Sequence, residues 1–400
     1  MNILVLTTLY QEPDDALTAA TTPVVHNFAK EWAKMGHKVL VIHNFNIFLK
    51  PLYYMPQFMQ DSISNKLGFR ISLNVEQRKE LHYIKDEVIV HKIPILKTVP
   101  MGGYSDHQLK KQWERVLQIL DDINFVPDIA VGHAENPQIW QLYKIKERFS
   151  NVRTGIVFHG LEYLQRNKFK KWKNVYLESI DVYGFRSLNI LKKAEKEISF
   201  NKDHFLCPSG IADKYIKTLP EKNNEIRKLL FVGQLIERKH PETILNALAE
   251  IKDRNYELTI VGIGSQNSIL EQKASELGVN VRFMGKLPHQ DVLRLMRQMD
   301  CFIMVSEAEV FGLVYLEAMS QGCITIAAKE EGMDGIIKDG HNGFLCRAGD
   351  VAELKSTLDR IENMSGREIG MMRENGFNTA IEYSETEVAK QYLLNLLEGA

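Results

Sequence analysis

At 400 residues, 44% hydrophobic and 25% charged, the chain can bury a large core, and its length favours two or three domains over one. No stretch approaches the roughly 18 consecutive apolar residues of a membrane span, and the opening MNILVLTTLY has no basic leader, so neither a spanning nor a secreted protein is expected. The net charge of −1 hides an asymmetry: residues 1–200 hold 27 Lys and Arg against 21 Asp and Glu, whereas residues 201–400 hold 23 against 30. Such segregation predicts two domains with different partners and an anionic surface or substrate for the first. The four cysteines, Cys207, Cys301, Cys323 and Cys346, form no CxxC pair and read as small core residues in a reducing cytoplasm.

Along the chain, short apolar runs alternate with helical patterns: NILVLTT, HKVLVIHN, EVIVHKI, PDIAVGH, RTGIVFHG, DVYGFRS and HFLCPSG. A second series follows in RKLLFVGQL, YELTIVGIG, NVRFMGKL, DCFIMVSE and GCITIAAK. Strands that are apolar along their whole length, alternating with helices, predict parallel sheets covered on both faces. The polar, turn-rich KTLPEKNNEIRK lies between the two series. The expected division is therefore an N-terminal domain over 1–215 and a C-terminal domain over 220–383. The closing SETEVAKQYLLNLLEGA, with Ser384 as its cap, predicts an amphipathic helix over 384–400 with Val388, Tyr392, Leu393 and Leu396 on one side.

In open α/β sheets ligands bind beyond the carboxyl ends of the strands, which draws attention to the loop after CFIMVS. There SEAEVFGLVYLEAMSQG sets Glu309 and Glu317 eight residues apart around Phe311 and Gly312. A helix starting near Phe311 offers the N–H groups of Gly312, Leu313 and Val314 to an anion, and Gly312 lets the backbone approach a ligand. Glu317 then lies roughly 8 to 10 Å from Glu309, close to the span from a sugar to a ribose across a diphosphate. A solvated helix face is the other reading of two such glutamates. Lys239 stands just after the strand-end Gly233. Gly262 and Gly264 form a turn beside the same rim.

EVFGLVYLEAMSQG resembles the E-x7-E signature of the family 4 retaining glycosyltransferases. FVGQLIERKH is similar to that family's first C-domain strand and phosphate loop, and IIKDGHNGFLCRAGDVAEL resembles its closing loop. The likeness is nearly continuous from about residue 225 to 360 and looser in FAKEWAKMGHKVLVI, PDIAVGHAENP and VFHGLEY. It implies the GT-B fold, two facing Rossmann-like doubly wound domains with a cleft between them, the last helix crossing back onto the first domain. It also implies that Glu317 binds ribose hydroxyls, that Glu309 with the backbone of Phe311, Gly312 and Leu313 meets the donor sugar and phosphates, and that Lys239 neutralises the diphosphate. Gly285 and Lys286 match the loop along the nucleobase. His133 matches the histidine near the donor sugar's 6-hydroxyl, a packed strand-end residue being the alternative. His159 and Gly160 fall near the acceptor or phosphates, with Glu162 a further candidate.

Gln234 stands where relatives commonly carry an arginine, and Arg238 is positioned to compensate. The first βα loop, DDALTAATTPVVHNF, lacks the usual glycine pair, leaving Thr21, Thr22 and nearby backbone to meet donor or acceptor. No DxD motif or His/Cys cluster is visible and Asp14 and Asp15 lack partners, so no metal or other cofactor is expected. The resemblance implies transfer, with retention, of a hexose or N-acetylhexosamine from a nucleotide-sugar, UDP-sugar favoured over GDP-sugar, to a glycan acceptor in cell-surface polysaccharide biosynthesis. The leaving phosphate would help deprotonate the acceptor hydroxyl. A non-catalytic partner subunit with a degenerate donor site is the alternative. Basic and aromatic residues interleave in LQRNKFKKWKNVYL, and NIFLKPLYYMPQFM adds aromatics, which together predict peripheral attachment to an anionic inner membrane face and a lipid-linked acceptor. No nucleic-acid motif is present.

Overall fold

The computed structural model describes residues 1–11, 22–50, 54–56, 59, 79–98, 103–161, 164, 173–197 and 202–398. The chain divides into two compact units. Unit 1 comprises Met1–Arg186, Lys193–Cys207 and Ala389–Ala400; unit 2 comprises Ser187–Lys192 and Pro208–Val388. Residues 208–215, expected with the first domain, go with the second because the Ile211 N–H donates to the Tyr383 carbonyl (2.9 Å) and the Glu385 N–H to the Ile211 carbonyl (2.8 Å). At Gly210 a Cβ would lie 2.6 Å from the Cα of Glu385, so only glycine permits this approach.

Unit 1 holds an eight-stranded sheet in the order β3-β4-β2-β1-β5-β6-β7-β8. The strands are β1 (Asn2–Thr7), β2 (Lys38–Ile47), β3 (Leu81–Lys85), β4 (Val88–Leu96), β5 (Ile129–His133), β6 (Arg153–Phe158), β7 (Val182–Phe185) and β8 (Asp203–Leu206). All pairings are parallel except β3 with β4, a hairpin turning at Asp86 and Glu87 with φ of 49° and 65°. Ile3–Leu6, Val39–Ile42 and Ile129–Val131 are buried without a break, because helices cover both faces and the polar alternation of a half-exposed strand is not needed. Helix α1 (Val24–Lys34) buries Val25, Phe28, Ala29 and Trp32, the i, i+3, i+4, i+7 stripe of an amphipathic helix. Two further helices, α2 (Asp106–Asp122) and α3 (Gln138–Arg148), send Gln112 and Gln141 onto the buried Asn44 of β2, closing a fully paired amide network. Helices α4 (Lys173–Glu178) and α5 (Leu188–Glu197) complete the alternation.

Unit 2 holds a six-stranded sheet in the order β11-β10-β9-β12-β13-β14, with every neighbouring pair parallel. Its strands are β9 (Lys228–Val232), β10 (Glu257–Val261), β11 (Val281–Phe283), β12 (Cys301–Met304), β13 (Ile324–Ala328) and β14 (Phe344–Cys346). The helices are α6 (Pro241–Ala249), α7 (Asn267–Leu277), α8 (His289–Met296), α9 (Leu313–Ser320), α10 (Val351–Glu362), α11 (Gly366–Glu382) and α12 (Glu385–Glu398). Chain order reverses between β9 and β12, so the helices after them leave for opposite faces and a crevice opens at their carboxyl ends. The last part of α12 lies in unit 1, where the Trp32 indole N–H donates to the Ala389 carbonyl (2.8 Å) and Arg153 Nε to the Leu396 carbonyl (2.9 Å). The stripe expected to be buried, Val388, Tyr392, Leu393 and Leu396, is buried.

Candidate active site

At the β9–β12 switch point of unit 2, the strand-end loops are knitted together through backbone. The Gly233 N–H donates to the Val261 carbonyl (3.0 Å), Leu235 to Ile263 (3.1 Å) and Gly262 to Gly285 (2.8 Å). At Gly262, with φ of +143°, a Cβ would stand 1.8 Å from the Gly233 carbonyl oxygen, so any side chain would force the two loops apart. A single 3₁₀ turn, Glu237–Lys239, follows β9, and the Glu307 N–H donates to the Arg238 carbonyl (2.7 Å), tying the β12 loop to the β9 loop.

These ties bring Lys239 and Glu309 together, 70 positions apart in sequence, as an ion pair between Nζ and Oε2. Both side chains are largely shielded, at 10% and 16% exposure. The same Glu309 oxygen accepts from Ser306 Oγ (3.2 Å), while the Tyr315 hydroxyl packs beside Ser306 and donates to the Met304 carbonyl (2.5 Å). The backbone N–H of Glu309 donates to Glu331 Oε2 (2.8 Å), and Gly332 lets that acidic loop pass within van der Waals contact of the Phe311 backbone. Phe311 is buried, and Gly312 caps α9 with φ of +87° and no side-chain cap, leaving the first-turn N–H groups around Leu313 for an acceptor other than a capping side chain. Gln234, Arg238 and Lys286 are exposed, and Gly285 turns at φ of +63°.

Glu317 lies on α9 and accepts from His289 Nε2 at 2.8 Å. That hydrogen bond raises the His289 pKa against the lowering effect of its partial burial and of Lys214. The His289 ring also stands edge-on to Tyr215, with centroids 5.0 Å apart. His289, Ser306, Tyr315 and Glu331 were not singled out from sequence; only HQD at the start of a helix hinted at the first, and nothing local marked the others.

Unit 1 presents a different rim. His133 ends β5 and is fully buried, its Nδ1 3.2 Å from His159 Nε2 and its Nε2 3.3 Å from the Tyr392 hydroxyl. Its ring lies stacked by Phe28 at 6.0 Å. Burial, then the nearby Arg186, pushes the His133 pKa down to about 3, and burial with Arg186 and His133 pushes His159 well below its ordinary value. Both rings are therefore neutral at physiological pH. Gly160 is half-buried beside them. Thr22 pairs with Tyr10 in a short bridge, and its Oγ1 accepts from the Val24 N–H (3.3 Å). Thr21, Glu162, Asp14 and Asp15 lie outside the described residues, as do residues 165–172 of the basic run. Among the described residues no group of three or more His, Cys, Asp or Glu has the arrangement of a metal site.

Residues 214–379 match the family model of "Glycosyl transferases group 1". The match covers under half of the chain. The matched segment contains the Lys239–Glu309 pair, the knitted glycine loops and Glu317. A D-inositol 3-phosphate glycosyltransferase of Frankia alni is 33% identical over 146 residues, 33% of this chain and 36% of that protein. A GDP-mannose-dependent monoacylated alpha-(1-6)-phosphatidylinositol monomannoside mannosyltransferase of Corynebacterium glutamicum is 24% identical over 240 residues, 55% of this chain and 62% of that protein. The chain thus spans about a third of the first relative's length and under two thirds of the second's. Among solved structures, Anabaena HepE in complex with UDP superposes with a TM-score of 0.68 at 16% identity, over 99% of this chain and 100% of that one. The fold is GT-B, a pair of Rossmann-like α/β units. Among the described residues no helix is long and apolar enough to cross a membrane.

Proposed function

We propose that the protein is a retaining, metal-independent glycosyltransferase that moves a hexose or N-acetylhexosamine from a nucleotide-sugar to a glycan acceptor in cell-surface polysaccharide biosynthesis. The observation that carries this reading is the shielded Lys239–Glu309 pair at the switch point, with Glu317 on the helix that follows. In this reading an arriving diphosphate competes with Glu309 for Lys239. The cation then meets the charge that grows on the leaving nucleoside diphosphate, where a fixed positive group is worth most. The first turn of α9 adds its unpaired N–H groups. Glu309, relieved of its cation, is free to accept from donor-sugar hydroxyls, and Glu317 accepts from the ribose. Arg238, exposed beside Lys239, supplies the charge that Gln234 lacks.

UDP is favoured over GDP as the carrier. The UDP bound to the Anabaena neighbour is in keeping with this, whereas the corynebacterial relative is named for GDP-mannose. His159 and Gly160 enter the reading through the family resemblance as the acceptor or phosphate side, whereas His133, fully buried with its ring nitrogens against His159 and Tyr392, fits the packed strand-end alternative and not a contact with the donor sugar's 6-hydroxyl. A lipid-linked acceptor at the inner membrane face and a cytoplasmic location belong to the same proposal, resting on the basic and aromatic runs of the N-terminal half. Calorimetric titration of UDP, GDP and ADP tests the donor site: one nucleotide should bind and weaken in Glu317→Ala, and turnover should survive EDTA. If none of the three binds, the partner-subunit reading replaces this one.

A further inference from the structure

We infer that His289 is a positioning residue for nucleotide recognition, holding the Glu317 carboxylate in the orientation that accepts the ribose hydroxyls. This rests on the donor-site reading above and assigns a role within it. The geometry is a closed circuit inside unit 2. His289 opens α8 and places Nε2 2.8 Å from Glu317 Oε1. Tyr215 backs the imidazole edge-on at 5.0 Å, and its own carbonyl accepts from Gln321 Nε2 (2.9 Å), four residues beyond Glu317 and just past the end of α9. The imidazole is thus backed by Tyr215 on one side and bonded to the carboxylate on the other. Lys214, whose Nζ lies 5.0 Å over the Tyr215 ring, is the other charged group facing this cluster.

An ionised carboxylate offers about four lone-pair positions. The imidazole takes one on Oε1, which leaves enough for a ribose diol without breaking the contact. A glutamate without that anchor samples several rotamers and must be ordered by the ligand, so part of the binding free energy is lost to ordering. Side chains that orient a binding group in this way commonly change affinity by 10- to 100-fold in metal sites, and the same logic applies to a carboxylate that must hold two hydroxyls. His289 itself is 46% exposed on its side chain and first in its helix, so its replacement removes little packing.

The discriminating readout is hydroxyl selectivity. UDP, GDP and ADP, each beside its 2′-deoxy counterpart, are titrated into the full-length protein and into His289→Ala, His289→Gln and Glu317→Ala. In the unsubstituted chain the ribose form of the nucleotide that binds should be favoured roughly tenfold or more over its 2′-deoxy form, the value of a hydrogen bond to a charged acceptor. In His289→Ala that preference should collapse toward that of Glu317→Ala, and His289→Gln, which retains a side-chain N–H, should restore part of it. A preference unchanged in His289→Ala overturns the positioning role while leaving the donor site standing. Failure of the unsubstituted chain to bind any of the three diphosphates overturns the donor-site reading, and the role of His289 goes with it.

Discussion

The two α/β units reach a similar architecture and finish their switch points in opposite ways. In unit 1, β1 and β5 end on a rim filled by neutral rings: His133, His159, Tyr392 and Phe28 touch one another, with the buried Arg186 nearby. In unit 2, β9 and β12 end on a rim organised by an ion pair, Lys239 with Glu309, and by a second carboxylate held by His289. Parallel sheets bury both faces, so a strand end is polar only where the following loop brings polar groups back over it. Unit 2 does so with tight glycine loops and a 3₁₀ turn; unit 1 packs side chains there instead. The histidines record the difference. Burial pushes His43 and His133 down to about 3 and His91 down to about 4 in unit 1, with Lys92, Arg186 and His82 adding to the effect, whereas the hydrogen bond to Glu317 raises His289 in unit 2.

Acid should therefore separate the units, and this is the largest effect expected. Between pH 6.5 and the depressed values the unfolded chain binds protons that native unit 1 refuses, so the stability of unit 1 falls as pH drops. At pH 5 each of the three histidines costs about 2 kcal/mol, about 6 together, comparable to the whole stability of a domain. His289 has the opposite sign. Its raised folded pKa gives a contribution that is full below about 6.5 and is lost as pH rises through the folded value. Desolvation of Glu353 is outweighed by Lys329 and Arg347, which hold it down to about 2, so the stability it lends unit 2 is lost only below about 4.5. All four tryptophans, Trp32, Trp113, Trp140 and Trp172, fall within Met1–Arg186, so tryptophan emission reports unit 1 alone. Emission should report unfolding between pH 6.5 and 4.5 while far-ultraviolet circular dichroism keeps the helical signal of unit 2. A single transition below pH 4.5 in both signals would erase the contrast.

The next effect belongs to the charged rim. Lys239→Met removes the cation proposed to meet the leaving diphosphate and leaves Glu309 without its ionic partner. Loss of one preorganised electrostatic contact of this kind lowers kcat by about 10²- to 10³-fold. Steady-state kinetics with the donor identified by titration should show that drop, with KM changed much less. A fall confined to KM would instead make Lys239 a ground-state binding residue and the ion pair an incidental feature of the ligand-free state.

Much of this contrast was legible in the sequence, and the unread part has a physical reason. The unbroken apolar runs announced parallel strands, the carboxyl-end rule drew attention to the loop and helix of Glu309 and Glu317, and the family resemblance added Lys239. What the chain could not announce was which groups return over that rim from a distance. Glu331 reaches the Glu309 backbone from 22 positions away and His289 reaches Glu317 from 28, each through a loop whose path depends on tertiary packing. The burial of His133 was equally hidden: a strand covered on both faces carries no alternation to tell a rim residue from a core one, and the residues that enclose it, Phe28 and Tyr392, lie 105 and 259 positions away.

Glycine substitutions give the smallest and most local test of the same contrast. At Gly262 of unit 2 the obstacle to a side chain is the Gly233 carbonyl oxygen, 1.8 Å from the would-be Cβ, and φ is +143°. Neither can relax without parting the β9 and β10 loops that carry the charged rim. At Gly132 of unit 1 the nearest atoms are Ile156 Cδ1 at 2.8 Å, Gln138 Cβ at 2.9 Å and Leu142 Cδ1 at 3.1 Å; the two terminal methyls can change rotamer, and Gln138 Cβ yields with a small shift of the start of α3. Gly262→Ala should therefore cost about 3 kcal/mol, in the range of overpacking joined to backbone strain, and Gly132→Ala about 1 kcal/mol. In thermal unfolding the first corresponds to a Tm shift of roughly 10 °C and the second to roughly 3 °C for units of this size. Because Gly262 orders the loops proposed to meet the phosphates, its replacement should also weaken nucleotide binding, whereas Gly132→Ala should leave binding to unit 2 as it was. Equal costs at the two sites would mean that the unit 2 loops yield as readily as packed side chains, and that the rim they support is not held by backbone contact at all.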